Sequence, residues 1–156
     1  MFLPGSIADT SVMDKPAQAT TGTPRRFKVF IAEDSPLMQP RIAELAMQVE
    51  GVVICGLADN GADALIGIGL SRPDAAIFDI NLRDGSSLPC LREAKLVVPG
   101  MQAVVCSIFA TSTYRDAARA AGANQFIDKA LECERIPEIL REFQKNSNGS
   151  ASRAAP

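Results

Sequence analysis

The chain contains no histidine among its 156 residues. That excludes a Ser-His-Asp or Cys-His catalytic set within it, and every zinc site that needs imidazole. An excess of positive charge is also missing. Sixteen Lys and Arg face eighteen Asp and Glu, for a net charge of −2. This argues against a polyanion binder, which would carry a basic face. No apolar run is long enough to cross a bilayer. The opening MFLPGSIADTSVMDK has neither a basic n-region nor a long apolar core, so no secretory signal is expected. None of the four cysteines, Cys55, Cys90, Cys106 and Cys133, pairs into CxxC. Cys55 and Cys106 lie inside apolar runs, where a thiol behaves as a small hydrophobe. Reduced thiols and a cytoplasmic location are the expectation.

What is present is enough for one domain. Residues 1–25 are rich in Pro, Ala, Thr, Ser and Gly and read as a disordered arm. Asn146–Pro156 reads as a second such tail. Between them, residues 26–145 alternate short β-rich runs with helical periods. Strands are expected at Phe27–Ala32, Val52–Ala58, Ala75–Phe78, Gln102–Ser107 and Gln125–Ile127. Helices are expected at Ser35–Glu50, Gly61–Leu70, Ser87–Val97, Ser112–Ala121 and Cys133–Lys145. Ser35 suits a cap, but Pro40 removes a backbone donor and demands a kink or a later start. Gly122 suits a left-handed helix end. The strands are continuously apolar, as a parallel sheet covered on both faces requires.

In such sheets, sites gather at the carboxyl ends of the strands. Glu33 and Asp34 follow the first strand, Asp79 ends the third, Ser107 ends the fourth, and Lys129 follows the fifth. Taken singly, each has a plain structural explanation as a cap, a turn or a surface lysine. Together they place three carboxylates, a hydroxyl and an ammonium on one rim. Crowded carboxylates suit a hard divalent cation such as Mg2+. A lysine beside it would stabilise charge on a transferred phosphoryl group. Asp79 could serve as the carboxylate nucleophile.

The segments VFIAEDSP, DAAIFDINLRDG, VVCS and GANQFIDKA, in this order, resemble the receiver domain of two-component response regulators. Asp34 to Asp79 is 45 residues, Asp79 to Ser107 is 28 and Ser107 to Lys129 is 22, separations that match the family. The resemblance spans about residues 27–145. It implies a flavodoxin-like α/β fold, a doubly wound five-stranded parallel sheet of order 2-1-3-4-5 with five helices. It further implies Asp79 as phosphoacceptor, and Glu33, Asp34, Asp79 and the backbone carbonyl of Asn81 as Mg2+ ligands. Ser107 and Lys129 would contact the phosphoryl group. Phe126 would be an aromatic switch coupled to Ser107, although packing alone explains a core aromatic equally well.

This sequence departs from the family pattern at four points. Glu33 stands where aspartate is commoner, Arg83 where proline is frequent, Ile108 where a small residue is preferred, and Ala130 where proline is usual. Ile108 would narrow the approach to Asp79. The expected partners are a histidine kinase or histidine phosphotransfer protein and a downstream protein target, with no nucleic acid and no membrane. A monomer or weak dimer is expected. No second domain is expected after Lys145, so the output would be protein binding or phosphorelay. Two other functions stand beside this one. A Mg2+-dependent phosphatase would need an acid two residues after Asp79, where Asn81 stands, and a cap over its substrate. A phosphorylation-independent, receiver-like interaction module is the alternative that Ile108 and Ala130 favour.

Overall fold

The computed structural model describes residues 24–153. Residues 1–23 of the expected arm lie outside the described residues. Five strands, β1 (Phe27–Ala32), β2 (Val52–Ala58), β3 (Ala75–Asp79), β4 (Gln102–Ser107) and β5 (Gln125–Asp128), form one parallel sheet. Its order is β2-β1-β3-β4-β5. The connecting helices are α1 (Met38–Met47), α2 (Gly61–Ser71), α3 (Leu88–Val97), α4 (Ser112–Ala120) and α5 (Ile136–Arg153). A short antiparallel ribbon, Asn81–Leu82 with Gly85–Ser86, precedes α3.

Strand alternation divides the core into two layers. Phe30, Ala76, Phe78, Ala103 and Val105 pack against Ala64 and Ile68 of α2, Leu91 and Ala94 of α3 and Ala118 of α4. Val29, Ile31, Ile77, Val104 and Cys106 pack against Ile42 and Leu45 of α1 and Ile139, Leu140 and Phe143 of α5. Both sheet faces are thus covered, which is why the strands read as unbroken apolar runs. The four cysteines are free, and Cys90 and Cys106 are buried. Burial pushes the Cys90 thiol up to about 11, with help from the charges of Asp84 and Glu93.

One glycine of β2 and one of α2 have a packing reason. The Phe30 ring lies over Gly56 and Gly67, where an added Cβ would come within 2.5 and 2.7 Å of ring carbons. A larger residue at either position would have to displace the ring.

Several boundaries shift from expectation: α1 ends at Met47, not Glu50, and α5 begins at Ile136, after a 3-10 turn over Cys133–Arg135. Two further differences have a physical reason. α1 starts at Met38, not Ser35. Ser35 still organises the entry, because its Oγ accepts a hydrogen bond from Met38 N at 3.2 Å. Pro40 then falls in the first turn, where backbone N–H groups have no intrahelical partner to lose. The second difference is larger. The expected tail from Asn146 continues α5 as helix to Arg153. Tertiary contacts explain this. Gln102 on β4 donates to the Phe143 carbonyl at 2.9 Å and to Ser147 Oγ at 3.3 Å, and Asn146 donates to Gln102 Oε1 at 3.3 Å. Ala154–Pro156 lie outside the described residues. Gly122 follows the end of α4 at φ +110°, as its position in the sequence required. No described helix is long and apolar enough to cross a membrane.

Candidate functional site

The strand register sets the site. Ala32 pairs with Phe78, so the next residues, Glu33 and Asp79, lie side by side at the strand ends. Asp79 pairs with Cys106 and Ser107 with Asp128, which brings the ends of β4 and β5 to the same rim. Lys129 follows directly, and its N–H donates to the Ser107 carbonyl at 2.8 Å.

Its ammonium lies between two carboxylates. Nζ is 2.6 Å from Glu33 Oε1 and 2.9 Å from Asp79 Oδ2. Glu33 is completely buried, and the Lys129 and Asp79 side chains are only 9% and 12% exposed. Asp34 is exposed, yet a carboxylate oxygen from each of Glu33, Asp34 and Asp79 lies within 4.8 Å of the others. Two negative groups therefore share one ammonium, and a third stands at the mouth.

Charge and burial compete here. Burial raises the pKa of Glu33, and the negative charge of the neighbouring Asp79 adds to that. Lys129 and the Ser35 N–H, 3.1 Å from Glu33 Oε2, oppose the rise without cancelling it. For Lys129, burial works against the charge, but Glu33 and Asp79 outweigh it and its pKa is raised. Glu33 Oε1 touches the ammonium by charge but receives no aligned hydrogen bond. A buried carboxylate oxygen without a directed donor is a group that could ligate a cation. All three side chains offer hard oxygen atoms, and none offers nitrogen or sulfur. The set therefore fits Mg2+ by its donor chemistry.

Four of the expected side chains, Glu33, Asp34, Asp79 and Lys129, are thus brought together. Ser107 is buried at the rim, but its Oγ accepts from Phe109 N at 2.9 Å and so is held by its own loop. Asn81 approaches Asp79 through its backbone, with its N–H 3.3 Å from Asp79 Oδ1. Phe126 is half-buried, and the Arg115 guanidinium sits over its ring, 4.9 Å from the centroid. Ile108 is 61% exposed on the loop after β4.

Several residues that shape the site have no signal in a linear reading. Asp84 caps α2 across the loop. Its carboxylate accepts from Gly61 N at 2.7 Å and Ala62 N at 3.2 Å, and these bonds hold its pKa down. Arg83 pairs with Asp59 and ties the same two loops together. The loop after Lys129 is held by Asp128, whose carboxylate accepts from Ala130 N at 2.9 Å and Leu131 N at 3.2 Å. Alanine at 130 provides a donor that proline lacks, so this loop is ordered by a different device. Glu132 closes the other side by accepting from Asp128 N at 2.7 Å.

Comparison with known proteins identifies the family and the fold. The response regulator receiver domain family matches residues 29–141. The chemotaxis protein CheY of Thermotoga maritima is 25% identical over 118 residues, which cover 76% of this chain and 98% of that protein. The transcriptional regulatory protein PdtaR of Mycobacterium tuberculosis is 34% identical over 124 residues, 78% of this chain but 58% of PdtaR. Among solved structures, the response regulator domain of Thermotoga maritima CheB superposes with a TM-score of 0.68 at 20% identity, covering 80% of this chain and 98% of that one. A chain of the CheX-CheY-BeF3-Mg2+ complex from Borrelia burgdorferi gives 0.64 at 20% identity, covering 74% of this chain and 90% of that one.

Proposed function

The chain belongs to the response regulator receiver domain family, and from that premise we propose that it is a phosphoryl-accepting signalling switch with Asp79 as the acceptor. The observation that carries this is the Lys129 ammonium held between Glu33 and Asp79, with Asp34 at the mouth. A purely structural ion pair would match charges. This rim holds more negative charge than its lysine neutralises, as expected of a site built to take a cation and then a phosphoryl group.

The donor is a phosphohistidine on a sensor kinase or a phosphotransfer protein, since this chain has no histidine of its own. An Asp79 carboxylate oxygen attacks phosphorus, the P–N bond breaks, and the donor imidazole leaves with the electron pair and takes up a proton. Glu33, Asp34, Asp79 and the Asn81 carbonyl would hold Mg2+, whose charge would offset that of the phosphoryl oxygens. Lys129 turns from the carboxylate to a phosphoryl oxygen and keeps its charge while doing so. Ser107 then exchanges the Phe109 N–H for the phosphoryl group. This moves the loop after β4, and Phe126 with Arg115 follows. The altered face is α4, β5 and α5, and its target is a protein. Water later attacks phosphorus and releases inorganic phosphate, which restores the Asp79 carboxylate.

The test is incubation with a phosphorylated histidine donor and Mg2+. Intact mass should rise by one phosphate in the wild type and not in Asp79→Asn. Full labelling of Asp79→Asn would sink the assignment.

A further inference from the structure

Three arginines converge on one cleft between α4 and the 3-10 turn that leads into α5. Arg115 and Arg119 come from α4 and Arg135 from the turn, while Asn124, Gln125 and Phe126 complete the lining. β5 is an edge strand of the sheet, so no further strand lies beyond it here. The cleft has a volume of about 290 Å3, and among the described residues no carboxylate lines it.

The three guanidiniums have more donors than partners. Each offers five N–H groups. Arg135 donates to Glu132 Oε1 at 2.9 Å. Arg115 stands 3.8 Å from Glu132 Oε2, beyond hydrogen-bond reach, and that oxygen already accepts from Asp128 N at 2.7 Å. The Arg115 Nε reaches the Ala110 carbonyl only at 3.4 Å. Arg119 meets Asp116 at 3.5 Å, with the two side chains 77% and 75% exposed. An exposed pair of this kind contributes little, so Arg119 can turn to another acceptor at small cost. The cleft thus gathers unspent positive charge in a chain whose net charge is −2.

The chemistry of the cleft narrows its occupant. Arginine forks match carboxylates through paired hydrogen bonds. A single inorganic anion would leave most of the volume to water, whereas two or three acidic side chains fill it. A nucleic acid carries its charge in a long line and needs a basic stripe. Here the positive surface stops at the cleft, because exposed Asp116 lies on α4 and exposed Glu138 follows one turn after Arg135.

We propose that this cleft binds a short acidic segment of a partner protein, with its carboxylates on Arg119, Arg135 and Arg115. The proposal rests on the reading above that α4, β5 and α5 are the output face, and names the chemistry that face selects. Arg115 supplies the link to the rim, since it lies over the Phe126 ring and touches the loop after β4. A segment seated in the cleft and the state of that loop therefore bear on each other.

Fluorescence anisotropy of fluorescein-labelled hexaglutamate with the full, unphosphorylated chain tests this at low salt. The wild type should bind saturably. Arg119→Glu and Arg135→Gln should each weaken binding about tenfold with folded spectra, while Arg92→Glu, an exposed arginine of α3, should leave it unchanged. No saturable binding by the wild type, or equal weakening by Arg92→Glu, would overturn the proposal. So would displacement by inorganic phosphate at equal concentration, which would reduce the cleft to a single-anion site. Tighter binding of a short oligothymidylate through the same arginines would assign it to nucleic acid instead. Labelling by a phosphorylated histidine donor, read on the same samples, separates the two readings. Arginine-dependent binding without labelling would sink the phosphoryl mechanism and support the cleft, and labelling without binding would do the reverse.

Discussion

Strand β3 is flanked by two aspartates of almost equal burial. Asp74 precedes it and Asp79 ends it, with side chains 11% and 12% exposed. At Asp74, Oδ1 accepts from the Arg25 guanidinium at 2.6 Å and Oδ2 from Lys28 N at 2.8 Å. Its backbone N–H reaches Lys28 O at 2.8 Å, and its carbonyl takes Gln102 N at 3.0 Å. The residue thus joins β1, β3 and β4 at one end of the sheet, β4 through its backbone carbonyl, and each of its carboxylate oxygens has a donor. At Asp79, Oδ2 shares a lysine with Glu33, and Oδ1 has only the long contact from Asn81 N. Solvent does not separate the two residues; the supply of donors does. A carboxylate with its own donors is structural, whereas one short of donors remains available for chemistry.

The sharpest test of that contrast is to neutralise each end of β3 in turn. Asp79→Asn should lose all phosphoryl labelling and keep its fold. Asp74→Ala should keep labelling but lose stability by about 2 kcal/mol, because it strands Lys28 N. Denaturant midpoints and intact mass read both. If Asp74→Ala also fails to label while still folded, the two ends are coupled and the contrast breaks.

The next largest effect belongs to Lys129. Lys129→Ala leaves buried Glu33 beside Asp79 with no cation, at a cost on the order of 3 kcal/mol near neutral pH. Acidification should return part of this loss as a carboxylate protonates. The variant should also lose the spectral change that follows phosphorylation. Since the folded pKa of Lys129 is raised, its contribution to stability is complete below 10.5 and lost as pH climbs above that. Equal melting temperatures for variant and wild type at pH 7.5 would reduce Lys129 to a surface cation.

Glu33→Gln should have a smaller effect, and one that depends on pH. The folded pKa of Glu33 is raised from 4.5, so the native state holds its proton more tightly than the unfolded chain. Wild-type stability therefore falls as pH rises from 4.5 through the raised value. Glutamine does not titrate. The stability difference, glutamine minus wild type, should grow across that window to about 1 kcal/mol and then level off. Denaturant midpoints at a series of pH values give the difference curve, and a flat one would mean that Glu33 pays no burial cost.

The smallest expected effect is kinetic. Ile108 is exposed, so Ile108→Ala should leave melting unchanged. If the side chain hinders approach to Asp79, truncation should speed both labelling by acetyl phosphate and decay of the phosphoprotein by several-fold. Identical decay would place Ile108 away from the path of donor and water.

Much of this molecule was legible in one dimension because its signals are local or ordered along the chain. Continuous apolar runs announced buried parallel strands, and the residues just past each run named the rim. Gly122 marked a helix end because few other residues adopt its backbone conformation. Signals that depend on distant partners were silent. Asn146–Arg153 has the composition of a tail, and a linear reading cannot see that Asn146 and Ser147 bond to the Gln102 side chain on β4. Asp84 looks like a turn residue until α2 arrives above it. Gly56 and Gly67 weaken their elements until the Phe30 ring is laid across them.

The sequence by itself determined the order of the elements, the two-sided burial of the sheet and the identity of the rim residues, because apolar runs and strand ends are properties of neighbours in the chain. Only the tertiary structure decided that Glu33 and Asp79 share one ammonium, that Ser107 is held by Phe109, and that Asp74 is fully paired while Asp79 is not. Those outcomes depend on how many donors reach each acceptor: Phe109 N is only two positions from Ser107, but the side chains and amides that reach Asp74, Asp79 and Glu33 across the sheet come from 46 to 96 positions away along the chain.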